Sequence, residues 1–164
     1  MNALPLVFQG HALDLPTPYL LEQEYEELAD LVCASPHSTA GLELLWRELQ
    51  RAVIVDPRHA PADRVHLHSR VRYTELVHPR HRMAHIVGPL EPAEGAANVS
   101  VLSPVGAALI GLRQGAVMPW VAGQNRLRVF QIDMVRDAAG AAARARATRA
   151  SRRRRLLDEL LSIH

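Results

Sequence analysis

The chain has 164 residues, 48% of them hydrophobic and only 4% aromatic; it can bury one aliphatic core, is short for two ordinary domains, and is poor in the rings that line ligand grooves or stack bases. Its formal net charge of +2 comes from 19 basic residues, every one an arginine, against 17 acidic ones; without lysine there is neither a lysine-based covalent mechanism nor a phosphate loop of the glycine-rich, lysine-bearing type. One cysteine, Cys33, excludes an intramolecular disulfide, and the opening MNALPLVFQGHALDLP carries neither the basic segment nor the apolar run of a secretory signal, so a cytoplasmic protein with no membrane role is expected.

The modest net charge hides a gradient. Glu22, Glu24, Glu26, Glu27 and Asp30 gather near the start, while Arg144, Arg146, Arg149 and Arg152 to Arg155 crowd the end. Residues 1–16, with Pro5, Gly10 and Pro16, read as a poorly ordered lead-in. Thr17-Pro18 then has the form of a cap followed by a first-turn proline, which predicts a helix start. Leu21, Tyr25, Leu28 and Val32 recur at helical spacing with the glutamates mostly off the stripe, so the glutamates read as a solvated face. SPHSTAG, residues 35–41, breaks the pattern. A second stripe, Leu42, Leu45, Leu49 and Ala52 or Val53, runs on until Asp56-Pro57 ends it. Two stripes joined by a short loop predict an antiparallel helical hairpin over 17–56.

From Pro61 the pattern is one of strands. Val65 and Leu67, then Val71 and Tyr73, predict one strand or a bent pair; Arg82 to Val87 predict the next, with HPRH, residues 78–81, as the turn between. PLEPAEGAAN, residues 89–98, reads as a loop. In NVSVLSPVGAALIGLRQG, residues 98–115, a short strand changes period at Ser103: the serine can cap a helix, Pro104 suits its first turn, and Gly111 or Gly115 can end it in a left-handed turn. Ala116 to Val121 and LRVFQIDMV, residues 127–135, are strands joined by a turn at 122–125. Along the last strand Leu127, Val129, Gln131 and Asp133 alternate with Arg128, Phe130, Ile132 and Met134, a mixed pattern that leaves the buried side open. The result is an α+β protein, with a small antiparallel sheet covered by one helix.

Residues 138–164 are rich in alanine and arginine, with Leu156, Leu157, Leu160 and Leu161 as a small apolar stripe. This tail reads as a helix or a disordered arm. Arg149, Arg152, Arg153, Arg154 and Arg155 could hold nucleic-acid phosphates or an acidic surface, with salt-sensitive affinity; alternatively the leucines dock on this chain or pair two copies of an otherwise monomeric protein. His66, His68, His78, His81 and His85 fall in neighbouring strands, but with no supporting cysteine they read as ordinary imidazoles, and no metal or cofactor is expected.

SVLSPVGAALIGLRQG, preceded by HSRVRY and followed by RLRVFQIDMV, resembles the carboxy-terminal domain of the Gre transcription factors and, within that superfamily, the Rnk group. Ser103 to Gly111 match the family's S-P-x-G-x-A-L-x-G pattern, and the resemblance extends over residues 17–136. It implies a short helical hairpin, a globular domain of the FK506-binding-protein type over 61–137, and binding to RNA polymerase near its secondary channel. Leu102, Ser103, Pro104 and Val105 would form the docking corner, with Pro36, His37, Ser38 and Thr39 at the hairpin tip. Gre factors that stimulate transcript cleavage carry acidic tip residues that help hold a metal ion. The tip here has no carboxylate, so a non-enzymatic regulator without cleavage stimulation is expected. The Rnk group is named for a link to nucleoside diphosphate kinase; this chain itself lacks a recognisable phosphotransfer motif, and the scarcity of aromatics argues against prolyl isomerase activity.

Overall fold

The computed structural model describes residues 7–8, 11–12, 14–89, 97–122, 124 and 126–136. In chain order the elements are β1 (Val7–Phe8), β2 (His11–Ala12), β3 (Tyr19–Leu21), α1 (Glu22–Ala34), α2 (Ala40–Gln50), β4 (Val53–Val55), β5 (Arg70–Glu75), β6 (Arg80–Val87), β7 (Asn98–Ser100), α3 (Pro104–Leu109), β8 (Val117–Ala122) and β9 (Arg126–Arg136). They form a five-stranded curled sheet in the order β7-β6-β5-β9-β8, a small antiparallel β1–β2 pair in the lead-in and a parallel β3–β4 pair.

Thr17-Pro18 does not start α1. The Tyr19 amide donates to the Gly111 carbonyl at 2.9 Å, and the Pro18 carbonyl accepts from Val53 at 2.9 Å. The chain is thereby held extended as β3, alongside Val53–Val55. The helix begins behind Leu21, which offers no side-chain cap, and Glu22 and Glu24 in its first turn complement the partial positive charge there. The second helix has a polar start: the Thr39 hydroxyl accepts from the Leu42 amide at 3.2 Å. It stops at Gln50, short of Asp56-Pro57, because the β-branched run Val53-Ile54-Val55 is used as a strand.

Val65 and Leu67 lie before the strand, not in it. Arg64 makes a single bridge to Arg113, His68 turns the chain in a left-handed conformation (φ 68°), and β5 starts at Arg70. The hairpin turn occupies 76–79, so Arg80 and His81 already belong to β6. The sheet is not wholly antiparallel: β7 runs parallel to β6, His85 opposite Asn98. Running in the same direction as β6, β7 delivers Ser100 straight into the corner that opens α3.

The ambiguous alternation of β9 has a structural cause. Arg72 lies opposite Met134 but Tyr73 lies opposite Ile132, so Asp133 is an extra residue on β9. The buried face therefore passes from Phe130 and Ile132 to Val135, which lies opposite buried Val71. Asp133 is re-aimed and accepts from the Thr74 hydroxyl at 2.8 Å.

The core is aliphatic, as the composition demands, with Leu20, Leu28, Leu45, Leu49, Ile86, Leu109, Ile110 and Leu112 fully enclosed. Tyr73, Phe130 and Trp120 add one aromatic cluster, with Phe130 set 4.9 Å from Tyr73 and edge-on to Trp120 at 4.1 Å. Among the described residues no helix is long and apolar enough to cross a membrane.

Glu48 sits inside this core at 1% exposure, held by Arg51 Nε at 3.1 Å and by the Arg51 terminal nitrogen. Burial pushes its carboxyl above the ordinary value of 4.5, with the Arg51 contacts opposing. A carboxyl raised on folding binds protons more readily in the folded state, so stability falls as pH rises from 4.5 through the folded pKa. Glu48→Gln removes this slope. Urea unfolding of both proteins from acidic to neutral pH is expected to show the variant gaining on the parent across that window and then levelling; a difference that does not vary with pH would refute the assignment.

Candidate functional site

The corner at Ser103 is built from mutually satisfied groups. The Ser100 carbonyl accepts from the Ser103 amide at 2.9 Å and from the Ser103 hydroxyl at 2.7 Å. The Ser103 oxygen in turn accepts from the Gly106 amide at 3.1 Å, and Pro104 occupies the first turn of α3. Gly106 is a requirement of this geometry: a Cβ there would stand 2.1 Å from the Ser100 carbonyl oxygen. Gly111 closes the turn after α3 at φ +75°, against Pro18 and Tyr19. The corner thus presents exposed Pro104 and half-buried Leu102, Ser103 and Val105 from a backbone with little freedom to move.

The second helix is seated on this corner. More of α2 packs on α3 than on α1, and Gly41 is the point of closest approach: a Cβ there would lie 1.9 Å from the Leu102 carbonyl oxygen. Pro36, His37, Ser38 and Thr39, all exposed, form the segment entering α2. None of the four lines the groove beside the corner, which begins at Ala40. Ser38 donates to Glu43 Oε1 at 2.7 Å, so the one carboxylate near this segment is already engaged.

Between α2, the corner and strands β8 and β9 runs a groove of about 360 Å³, lined by Ala40, Glu43, Leu44, Arg47, Pro104, Val105, Trp120, Val121, Ala122 and Arg128. Its volume falls within the range of pockets that bind small molecules or side-chain anchors. Arg47 and Arg128 give it two cations, and Arg128 Nε is held 2.6 Å from buried Glu75. Trp120 is 4% exposed, and its indole N–H has no partner among the described residues.

The sequence offered Pro104 and Val105 but not the other walls. Trp120 and Arg128 lie on strands whose register depends on tertiary pairing. Leu44 and Arg47 belong to a stripe that reads equally well as facing a helical partner. Gly41 was the available signal: a glycine in the first turn of a helix costs stability unless close approach demands it.

A larger hollow, about 500 Å³, lies elsewhere, lined by Pro16, Thr17, Tyr19, Arg64, Arg113, Gln114, Gly115 and Ala116. The Arg64 guanidinium stacks on Tyr19 at 3.9 Å and reaches the Thr17 and Gly111 carbonyls at 3.4 Å, bracing β3 against the end of α3. Burial lowers the Arg64 pKa. None of the residues expected from sequence to bind a partner lines this hollow.

The reading of the first-helix glutamates as a wholly solvated face needs correction. Glu24 is buried: its Oε2 lies 2.7 Å from His66 Nδ1, and its Oε1 accepts from the Leu67 amide at 2.7 Å. The other histidines are dispersed, His81 on Thr74 at 2.8 Å and His85 on Asn98 at 3.2 Å. Among the described residues no group of three or more metal-ligating side chains occurs. Arg149 and Arg152 to Arg155 lie outside the described residues.

A family model for the transcription elongation factor GreA/GreB C-terminal region matches residues 60–136. Proteins named regulator of nucleoside diphosphate kinase, from Escherichia coli K12 and from Shigella flexneri, are each 33% identical over 131 residues, covering 76% of this chain and 95% of theirs. Among solved structures, a prokaryotic transcription elongation factor GreA/GreB from Nitrosomonas europaea is 29% identical, with a TM-score of 0.59, covering 74% of this chain and 99% of that one. The family-model match contains the Ser-Pro corner and the five-stranded sheet, and with relatives 33% identical over 95% of their length the chain belongs to the regulator of nucleoside diphosphate kinase group of the GreA/GreB family.

Proposed function

We propose that this protein is a non-enzymatic regulator of transcription that binds RNA polymerase near the secondary channel. Membership of a family of transcription elongation factors supports regulation of transcription in general terms. The observation that carries the more specific reading is the groove at Pro104, where a rigid corner, the first turn of α2 and two arginines converge. Such a surface suits a polymerase segment that brings an apolar anchor for Pro104 and Val105 together with acceptor groups for Arg47 and Arg128.

The segment 35–39 contains no carboxylate, and Glu43 is tied to Ser38. A factor with this tip has nothing with which to share a metal ion in a polymerase active centre. It acts by occupying the approach and excluding other factors. The test is capture of purified core polymerase with and without a competitor that binds the secondary channel, scored also for cleavage of backtracked transcripts. Binding that the competitor displaces, with no added cleavage, is expected; binding indifferent to the competitor, or robust cleavage, would overturn the reading.

A further inference from the structure

The five-stranded sheet has a face turned away from the helices. Pairing fixes its composition. Arg70 lies between His85 on β6 and Arg136 on β9, and Arg72 lies between Met83 and Met134. Arg70, Arg72 and Arg136 are exposed, and no ion pair forms to any of them among the described residues. Asp133, the one acid on this face among the described residues, is occupied by the Thr74 hydroxyl at 2.8 Å and lies 3.9 Å from His81.

Three uncompensated arginines on a rigid, open surface form a cationic band. From this geometry we propose that the outer sheet face, at Arg70, Arg72 and Arg136, is a second binding surface that takes a nucleic-acid strand by its phosphates. Same-face residues two apart on a strand are about 7 Å apart, close to the separation of successive phosphates along a single strand. Guanidinium forks grip phosphate oxygens bidentately. Met83 is the most exposed large apolar residue described, at 52%, and beside Arg72 it offers a soft contact for sugars and base edges. With no Phe, Tyr or Trp side chain on this face among the described residues, recognition rests on the backbone and is independent of sequence.

The sequence beyond β9 points the same way. Residues 137–164 carry seven arginines against Asp137, Asp158 and Glu159. An acidic protein surface would be drawn to the same charge but would not match its regular spacing.

The experiment measures anisotropy of short labelled single-stranded RNA, single-stranded DNA of the same sequence and the corresponding duplex, titrated with the full chain between about 50 and 200 mM salt. Arg70→Gln/Arg72→Gln is compared with Arg80→Gln/Arg126→Gln, which removes equal charge from exposed positions on the other side of the sheet. The first double variant is expected to weaken binding about tenfold at low salt and to reduce the salt slope by about two. The second should bind as the parent does, and both should still capture polymerase. Stronger binding of RNA than DNA would mark the transcript as the source of the phosphates; equal binding would leave the phosphate chemistry common to both, and either outcome supports the surface. Unchanged affinity in Arg70→Gln/Arg72→Gln would overturn it in favour of the tail alone. So would an absence of binding at low salt, or displacement of the oligonucleotide by polyglutamate of equal charge.

Discussion

Gly41→Ala is expected to destabilise the protein by about 2 to 3 kcal/mol, a loss of roughly 5 to 10 °C in Tm. Two effects compete. Alanine in a helix is favoured over glycine by about 1 kcal/mol, so an exposed position in the first turn of α2 would gain from the change. At Gly41 the new Cβ would stand 1.9 Å from the Leu102 carbonyl oxygen, 2.8 Å from its carbon and 2.9 Å from the Ser103 carbonyl carbon. All three are backbone atoms of a turn whose hydrogen bonds are already made, so no side chain can swing aside. Overlap therefore wins, and α2 must lift off the corner, opening the groove at Pro104. Gly115→Ala is the comparison: its φ of +85° disfavours a side chain, but nothing lies within 4 Å, so the cost is about 1 kcal/mol of local strain. Thermal unfolding of the two variants should separate them clearly, and equal losses would mean that α2 does not sit where it is described.

Glu24→Ala is expected to cost about 3 kcal/mol. Glu24 is one of the few contacts by which α1 is tied to the segment leading into the sheet, and it satisfies two groups at once, His66 Nδ1 and the Leu67 amide. With the carboxylate accepting, Nδ1 carries the hydrogen, and Nε2 is already without a partner among the described residues. Removing the carboxylate strands a second imidazole nitrogen and a backbone N–H in a site where His66 is 3% exposed. Glu24→Gln keeps an oxygen for the Leu67 amide and offers its NH₂ to the imidazole as the other tautomer, so a loss of about 1 kcal/mol is expected. Urea unfolding of the pair gives the comparison; an alanine variant as stable as the parent would remove Glu24 from the architecture.

The contrast between what the sequence disclosed and what it concealed follows a physical rule. The Ser103-Pro104 corner was legible because capping is local: a serine oxygen, a proline without N–H and a glycine three residues on specify one another through short-range bonds. The helical stripes, strands β6 and β8 and the left-handed Gly111 were legible for the same reason. Thr17-Pro18 misled because Tyr19 and Val53 are far apart in sequence, and their pairing through β3 and β4 overrides the local signal. The parallel β6–β7 pair was equally invisible, since direction is set by a crossover and not by the pattern of three residues. Asp133 shows the limit from the other side. The alternation in β9 was disturbed in the sequence, but only the opposing strand reveals that one residue is extra.

For the site the same division holds. Pro104 and Val105 could be read from the motif, whereas Trp120, Arg128 and Arg47 enter the groove only because α2 and the β8–β9 pair close over the corner. Glu24 sat among acids that are mostly solvated, and nothing in its spacing set it apart; burial is decided by where His66 and Leu67 arrive from 42 and 43 residues away.

Whether the corner at Pro104 is the surface that meets polymerase is decided by capturing core polymerase with the parent chain and with Pro104→Asp. Pro104 is exposed and its ring is not part of the core, so aspartate, which is itself well tolerated at the start of a helix, should leave the fold intact while placing a hydrated charge in the middle of the contact. The variant is expected to fold as the parent does and to lose polymerase binding by tenfold or more, about 1.4 kcal/mol at the least; a folded Pro104→Asp that captures polymerase as the parent does would rule the corner out as the contact.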